Sequence, residues 1–233
     1  MQIQIRGSLG TQVLQILLGY AIAYEKKENV KSIKVNAYNY GQEIENLYPE
    51  LHTDILYFKE VLDFQTQPNV EVVSGTQKVK YNVKSVELLC KHIEKIRKEI
   101  TIKHTHESST YENILHVRYL KDRRLCSMET YETVAGQLNN PTIFIDDKNY
   151  LERFKDYECS ENDTTIGDWL SLSKAKRVYG IPSTFMWTPA LLNETLDVQC
   201  FHRDMCYPYG FWKEFDVLVR NLQNFNYTQM LSH

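Results

Sequence analysis

Three stretches of this chain combine residue types that can hold a phosphate or read a nucleotide. The first is HVR, residues 116–118, which closes the apolar run NIL. Alternate side chains of an extended segment share a face, so His116 and Arg118 are expected on the same side. Arginine offers a planar fork of donors suited to a diphosphate, and histidine can hydrogen-bond a base, a ribose or a phosphate. The second stretch is DWLSLSKAKRVYGIPSTFMWTPALLN, which holds Asp168, Ser183 and Thr184. Its two adjacent hydroxyls fall where a helix should begin, and the free amides of a helix N-terminus attract anions. Plain N-capping would use the same hydroxyls, so both roles stay open. The third is GSLGTQ, with Gly7, Ser8, Gly10 and Gln12. Glycines between a strand and a helix let backbone amides approach a phosphate. As a dinucleotide fingerprint this stretch fails, because the third glycine is missing and no acidic residue closes the next strand. That argues against a nicotinamide oxidoreductase.

The elements that must carry these residues alternate between strand and helix. Ile3 and Ile5 alternate with polar residues, and TQVLQILLGYAIAYEKK follows with apolar residues at helical spacing. VKSIKVNAY and VEVVSG read as strands, and VKSVELLCKHIEKIRKEI as a helix with Val86, Leu89, His92, Ile93 and Ile96 on one side. Residues 101–111, TIKHTHESSTY, are polar and aperiodic, which predicts a linker. The alternation then restarts: NILHVRYL strand, METYETVAGQL helix, TIFIDD strand, DTTIGDWLSLSKA helix, KRVYGI strand, STFMWTPALLN helix. GFWKEFDVLVRNLQNF predicts a terminal amphipathic helix. Such alternation predicts parallel sheets flanked by helices, in two α/β domains at 1–104 and 105–233, with a ligand in the cleft between them.

Bulk properties narrow the partners. A net charge of −3 over 233 residues gives no global attraction to nucleic acid or to an anionic membrane. The longest apolar stretch, Val13–Tyr24, is broken by Gln15 and too short to span a bilayer. Five cysteines (Cys90, Cys126, Cys159, Cys200 and Cys206) have no repeating spacing, and no secretory start precedes them. Reduced thiols in a cytoplasmic setting are the expectation. The sequons at Asn162, Asn193 and Asn226 then read as chance matches. CFHRDMC places Cys200, His202 and Cys206 together at spacings that fit no usual zinc site, and His104 and His106 fall in the linker.

The three stretches together resemble a known pattern. GSLGTQVLQILLGYAIA is similar to the GGLGNQ opening of the alpha-1,2-fucosyltransferase-like family, related to the alpha-1,6- and protein O-fucosyltransferases. HVR resembles the start of that family's HVRRGDY. The family's later pattern, D-F-x-x-M-S-x-C-K followed by N-S-S-F-S-W-W-x-A-x-L-N, is matched in register by Asp168, Ser173, Ser183, Thr184, Phe185, Trp187, Ala190, Leu192 and Asn193, with Lys174 two places ahead of the pattern's lysine. The resemblance implies a GT-B architecture: two Rossmann-like domains facing a cleft, with the nucleotide-sugar held by the C-terminal one. It implies that Arg118 binds the donor diphosphate and that His116 lies at the nucleoside or phosphate. Asp168 would read a guanine, Ser183 and Thr184 would hold phosphate, and Gly7, Ser8, Gly10 and Gln12 would line the acceptor side of the cleft. It implies inverting transfer to a glycan hydroxyl without a metal or other cofactor.

The chain departs from this family at one loop. RYLKD stands where the family has RRGD, so Tyr119 and Leu120 replace the second arginine and the glycine, with Lys121, Arg123 and Arg124 as alternative cations. The donor sugar is therefore open between fucose, rhamnose and another hexosyl group. The altered loop also keeps open an inactive nucleotide-sugar or glycan-binding protein of the same fold. Glu43, Asp122 and Asp204 are candidate general bases by position, and none is assigned. Asp146-Asp147 is an acidic pair after a strand, but neighbouring side chains in an extended segment point apart, so it reads as a loop start rather than a metal site.

Overall fold

Ile3 and Ile5 turn inward from β1 (Gln2–Ile5), the edge of a parallel three-stranded sheet with β2 (Ser32–Asn36) and β4 (Asn69–Val73) in the order β1-β2-β4. In the computed structural model, residues 1–36, 57–73, 82–103, 111–118, 126–145, 147–160, 164–201 and 212–228 are described. The chain divides into two units, Met1–Lys103 and His104–His233.

In the first unit, α1 (Leu9–Glu25) is apolar around most of its circumference and is buried accordingly. It lies close on β1 because residue 19 is glycine: a Cβ there would sit 2.5 Å from the Ile3 Cδ1 atom. On its other side α1 packs against an amphipathic helix, numbered after the short α2 (Tyr57–Val61) as α3 (Val83–Glu99). Asn82 caps α3, accepting from the Ser85 amide while the Ser85 hydroxyl accepts from the Asn82 amide. Val86, Leu89, Ile93 and Ile96 form its buried stripe. His92, on the same predicted side, instead meets α1 at the helix margin.

The predicted linker begins too early. Ile100 and Ile102 are buried in β5 (Ile100–Ile102), which pairs antiparallel with β3 (Leu62–Phe64). A three-residue strand is too short to show a period, which is why TIK reads as linker from sequence. His104 and His106 lie outside the described residues.

The second unit is a five-stranded, wholly parallel sheet in the order β10-β9-β8-β6-β7. Its strands are β6 (Asn113–Val117), β7 (Thr142–Ile145), β8 (Arg177–Gly180), β9 (Asp197–Cys200) and β10 (Phe225–Tyr227). Every β6 residue is buried, as a central parallel strand requires. The helices between strands are α4 (Met128–Gln137), α5 (Thr165–Ser173), α6 (Thr184–Leu192) and α7 (Trp212–Asn221), with a 3-10 helix at Lys148–Phe154. The chain is thus mixed α/β. The terminal-helix expectation needs correction, since α7 is followed by β10, which extends the sheet beside β9. FNY and DVQC are three- and four-residue strands with polar alternate positions, too short to stand out before their partners are known.

The four described cysteines, Cys90, Cys126, Cys159 and Cys200, are free thiols; Cys206 and His202 lie outside the described residues. No helix among the described residues is long and apolar enough to cross a membrane. Asn193 and Asn226 are used internally: Asn193 Nδ2 donates to the Ser173 carbonyl and Asn226 Nδ2 to Asp197. Asn162 lies outside the described residues.

An ion-pair cluster joins α1 to α3. Glu25 accepts from Lys91 Nζ at 2.8 Å and pairs with His92 Nε2 at 2.9 Å, while Lys95 sits over the Tyr24 ring. Hydrogen bonds from Lys91 and then His92 hold the Glu25 carboxyl below its ordinary range. A depressed folded-state value contributes stability that is fully present above the unfolded carboxylate range and is lost as the pH falls through the folded value. Glu25→Gln should therefore melt below the wild type at neutral pH, with the difference closing under acid. Paired thermal melts from pH 7 down to pH 3 check this, and a gap that does not narrow refutes it.

Candidate functional site

Strand order singles out one edge of the second sheet. Taken in chain sequence, β6 is first, β7 pairs on one side of it and β8 on the other. Connections that leave β6 and β8 therefore diverge, and in an open parallel sheet such a reversal leaves a ligand crevice outside the carboxyl ends of those strands. His116 lies near the end of β6 and Arg118 just beyond it, and Gly180 through Thr184 lead from β8 into α6. Two of the stretches recognised from sequence thus meet at one place in the sheet.

The contacts there are close. His116 lies in register with Gly180 of β8 and Phe144 of β7, and its ring stacks on Phe185 with centroids 5.4 Å apart and planes 28° from parallel. At 2% exposure the imidazole belongs to the floor of this edge rather than to its surface. Gly180 makes that packing possible. A Cβ at residue 180 would lie 2.9 Å from both the His116 carbonyl oxygen and the Met186 sulfur.

Arg118 is half-buried, one residue beyond β6. Its backbone is held on both sides by Tyr131 of α4: the Arg118 amide donates to the phenol oxygen at 3.4 Å, and the phenol donates to the Arg118 carbonyl at 3.3 Å. Tyr131 is itself buried and packs on Phe201, so the exit of the chain from β6 is anchored in the core. Ser183 is the N-cap of α6, its hydroxyl oxygen accepting from the Met186 amide at 3.2 Å. The capping role is therefore realised; the Ser183 hydroxyl proton can still be donated. Thr184 is buried in the first turn.

Asp168 lies in the first turn of α5, capped by Thr164, where its carboxylate accepts from the Ser160 hydroxyl at 3.1 Å. Its helix is tied to α6 by a buried hydrogen bond from Trp169 Nε1 to Thr188 Oγ1 at 3.1 Å, and by Asn193 to the Ser173 carbonyl at the far end. Because α5 leads into β8 of a parallel sheet, its first turn faces the same carboxyl edge as the first turn of α6.

The remaining predicted residues belong to the first unit, at the turn between β1 and α1. Gly7 adopts a φ of 95°, a conformation that favours glycine, and Ser8 is the exposed N-cap position of α1. Gly10 and Gln12 are buried. The Gln12 side chain donates to the Gly7 carbonyl at 2.9 Å and accepts from the Phe58 amide at 3.3 Å, so it braces the turn internally. Gln15 does likewise for the Arg6 amide at 2.7 Å.

Of the acidic candidates, Glu43, Asp122, Asp146 and Asp204 lie outside the described residues, as do Tyr119, Leu120, Lys121, Arg123 and Arg124. Asp147 caps the 3-10 helix, accepting from the Asn149 amide and side chain. Sequence reading missed Gly180, Tyr131 and Ser160, and named Phe185 only within the family-like pattern. Only Gly180, a glycine between a strand and a proline in YGIP, carried a signal there. Comparisons of the chain with protein families, curated proteins and solved structures found no match.

Gly180→Ala should cost about 1–3 kcal/mol, the usual toll of overpacking, because the His116 carbonyl is backbone and cannot swing aside. Urea unfolding monitored by tryptophan fluorescence measures it. An unchanged midpoint would show that β8 and β6 are not held this closely.

Proposed function

We propose that the chain is a metal-independent, inverting glycosyltransferase that takes a GDP-linked sugar, fucose or a related deoxyhexose, to a glycan hydroxyl. The observation that carries this reading is the reversal of strand order between β6 and β8, which puts Arg118 and the capped start of α6 at the carboxyl ends of neighbouring strands. Guanidinium and helix N-terminal amides are a preorganised set of donors for the negative charge that grows on a leaving diphosphate. The resemblance to the fucosyltransferase-like family supplies the chemistry. In one displacement the acceptor oxygen bonds to the anomeric carbon from the face opposite the diphosphate. The bond from that carbon to the diphosphate oxygen breaks, its electron pair stays on the diphosphate, and the acceptor proton passes to a base.

Within this reading Arg118 neutralises the diphosphate, the Ser183 hydroxyl and the first amides of α6 complete its cradle, and Asp168 reads the base. His116, buried against Phe185, shapes the floor beneath the donor. The RYLKD loop favours a second reading, a nucleotide-sugar-binding protein that has lost transfer. Slow hydrolysis of a GDP-sugar by the purified chain distinguishes the two, since a binder would leave the donor intact.

Arg118→Ala should weaken donor binding by about 1.5–3 kcal/mol, the worth of a hydrogen bond to a charged group, while the far-UV circular dichroism stays unchanged. Unaltered affinity in the folded variant would remove Arg118 from the site. Transfer should also persist in excess EDTA, since the charge on the leaving group is met by fixed protein donors. Complete loss on chelation, reversed by manganese, would instead bring Asp146 and Asp147 into the site and overturn the metal-independent mechanism.

A further inference from the structure

Asp168 is oriented by a residue outside its own helix. Cys159 forms an isolated parallel bridge with Ile143 of β7. The Ile143 amide donates to the Glu158 carbonyl at 2.7 Å, and the Ser160 amide donates to the Ile143 carbonyl at 2.8 Å. Since β6 occupies the other side of β7, residues 158–160 add a rudimentary strand to the sheet's outer edge. Ser160 is thus fixed to the sheet backbone, and from there its hydroxyl donates to Asp168 Oδ1 at 3.1 Å. The Asp168 amide is meanwhile bonded to the Thr164 carbonyl, and the next residue, Trp169, is locked to Thr188. The carboxylate is thus tied to the sheet through Ser160, while the helix that carries it is fixed by its backbone and by the bond to α6.

This placement matches one end of a nucleotide. Neighbouring strands lie about 4.8 Å apart, so the edge at Ser160 is three spacings, roughly 14 Å, from β8, the strand that leads into α6. An extended nucleoside diphosphate separates its base from its diphosphate on that scale. A carboxylate of fixed plane accepts side by side from the N1–H and exocyclic amine of guanine. Uracil would present a single N–H flanked by two carbonyl oxygens, which the carboxylate repels.

We infer that Ser160 is a positioning residue for base selection: by fixing the plane of the Asp168 carboxylate it sets the preference for a guanine over a uracil nucleotide. The inference rests on the nucleotide-sugar reading above. Its structural alternative is that the Ser160–Asp168 bond only fastens the edge of the sheet.

Isothermal titration of GDP and UDP into the wild type, Ser160→Ala, Ser160→Thr and Asp168→Asn separates these, with a thermal melt of each. The wild type should prefer GDP, and Asp168→Asn should erase the preference. Ser160→Ala should lose about three- to tenfold in GDP affinity, the range for one net hydrogen bond, with UDP affinity unchanged. Ser160→Thr, which keeps the hydroxyl, should restore it. A Ser160→Ala protein that melts lower but keeps the wild-type GDP-to-UDP ratio overturns the inference and leaves the nucleotide reading standing. Equal weakening of both nucleotides does the same. A wild type that binds both equally, or neither, overturns base reading by Asp168 itself. If Ser160→Ala does not fold, Ser160→Cys, of similar volume but a weak donor, takes its place under the same criteria.

Discussion

The close approach of β8 to β6 at Gly180 is the constraint on which the carboxyl edge of the second unit depends. Parallel pairing of these strands places Gly180 opposite His116, and the absence of a side chain at 180 lets the first turn of α6 settle over β6. Phe185 then reaches the His116 ring, and Ser183 caps the helix that carries it. A side chain at residue 180 would push α6 away from β6. It would thereby separate the helix start from Arg118, although neither residue would itself have changed.

Rigidity at this edge comes from interactions placed behind it. Tyr131 holds the backbone of Arg118 through both its donor and its acceptor, and is packed in the core against Phe201. The buried Trp169–Thr188 bond keeps α5 and α6 at a fixed spacing. Removing one partner of such a bond would leave a buried polar group unsatisfied, which costs more than the bond itself contributes. Residues that could touch a ligand are thus supported by residues that could not, an arrangement a binding site needs if its geometry is to survive thermal motion.

The first unit solves a different problem with similar means. Its glycine turn between β1 and α1 is braced by two buried glutamines, which satisfy backbone groups the turn would otherwise bury unpaired. Gly19 does for β1 and α1 what Gly180 does for β8 and α6, letting Ile3 lie against helix backbone. Gln12 shows how a residue picked for its place in a motif can have a local reason for being there. Its amide closes the turn.

Local chemistry written in the sequence determined the long elements. The apolar stripe of Val83–Glu99, the Asn82–Ser85 cap, the glycine turn at residues 7–10 and the hydroxyl start of α6 all follow from interactions within a few residues. So does the strand that carries His116 toward Arg118. What tertiary structure alone decided is which strands are neighbours. No local signal places β8 beside β6, recruits DVQC and FNY into the sheet, or turns residues 100–102 into a strand. Those choices depend on partners far along the chain, and three or four residues hold too little periodicity to announce them. The same holds at the candidate site. Arg118, Asp168 and Ser183 are visible from residue type and spacing. Gly180, Tyr131 and Ser160 matter only through what folding brings against them, because a close approach, a backbone anchor and an oriented carboxylate are properties of pairs that do not exist until the chain is folded.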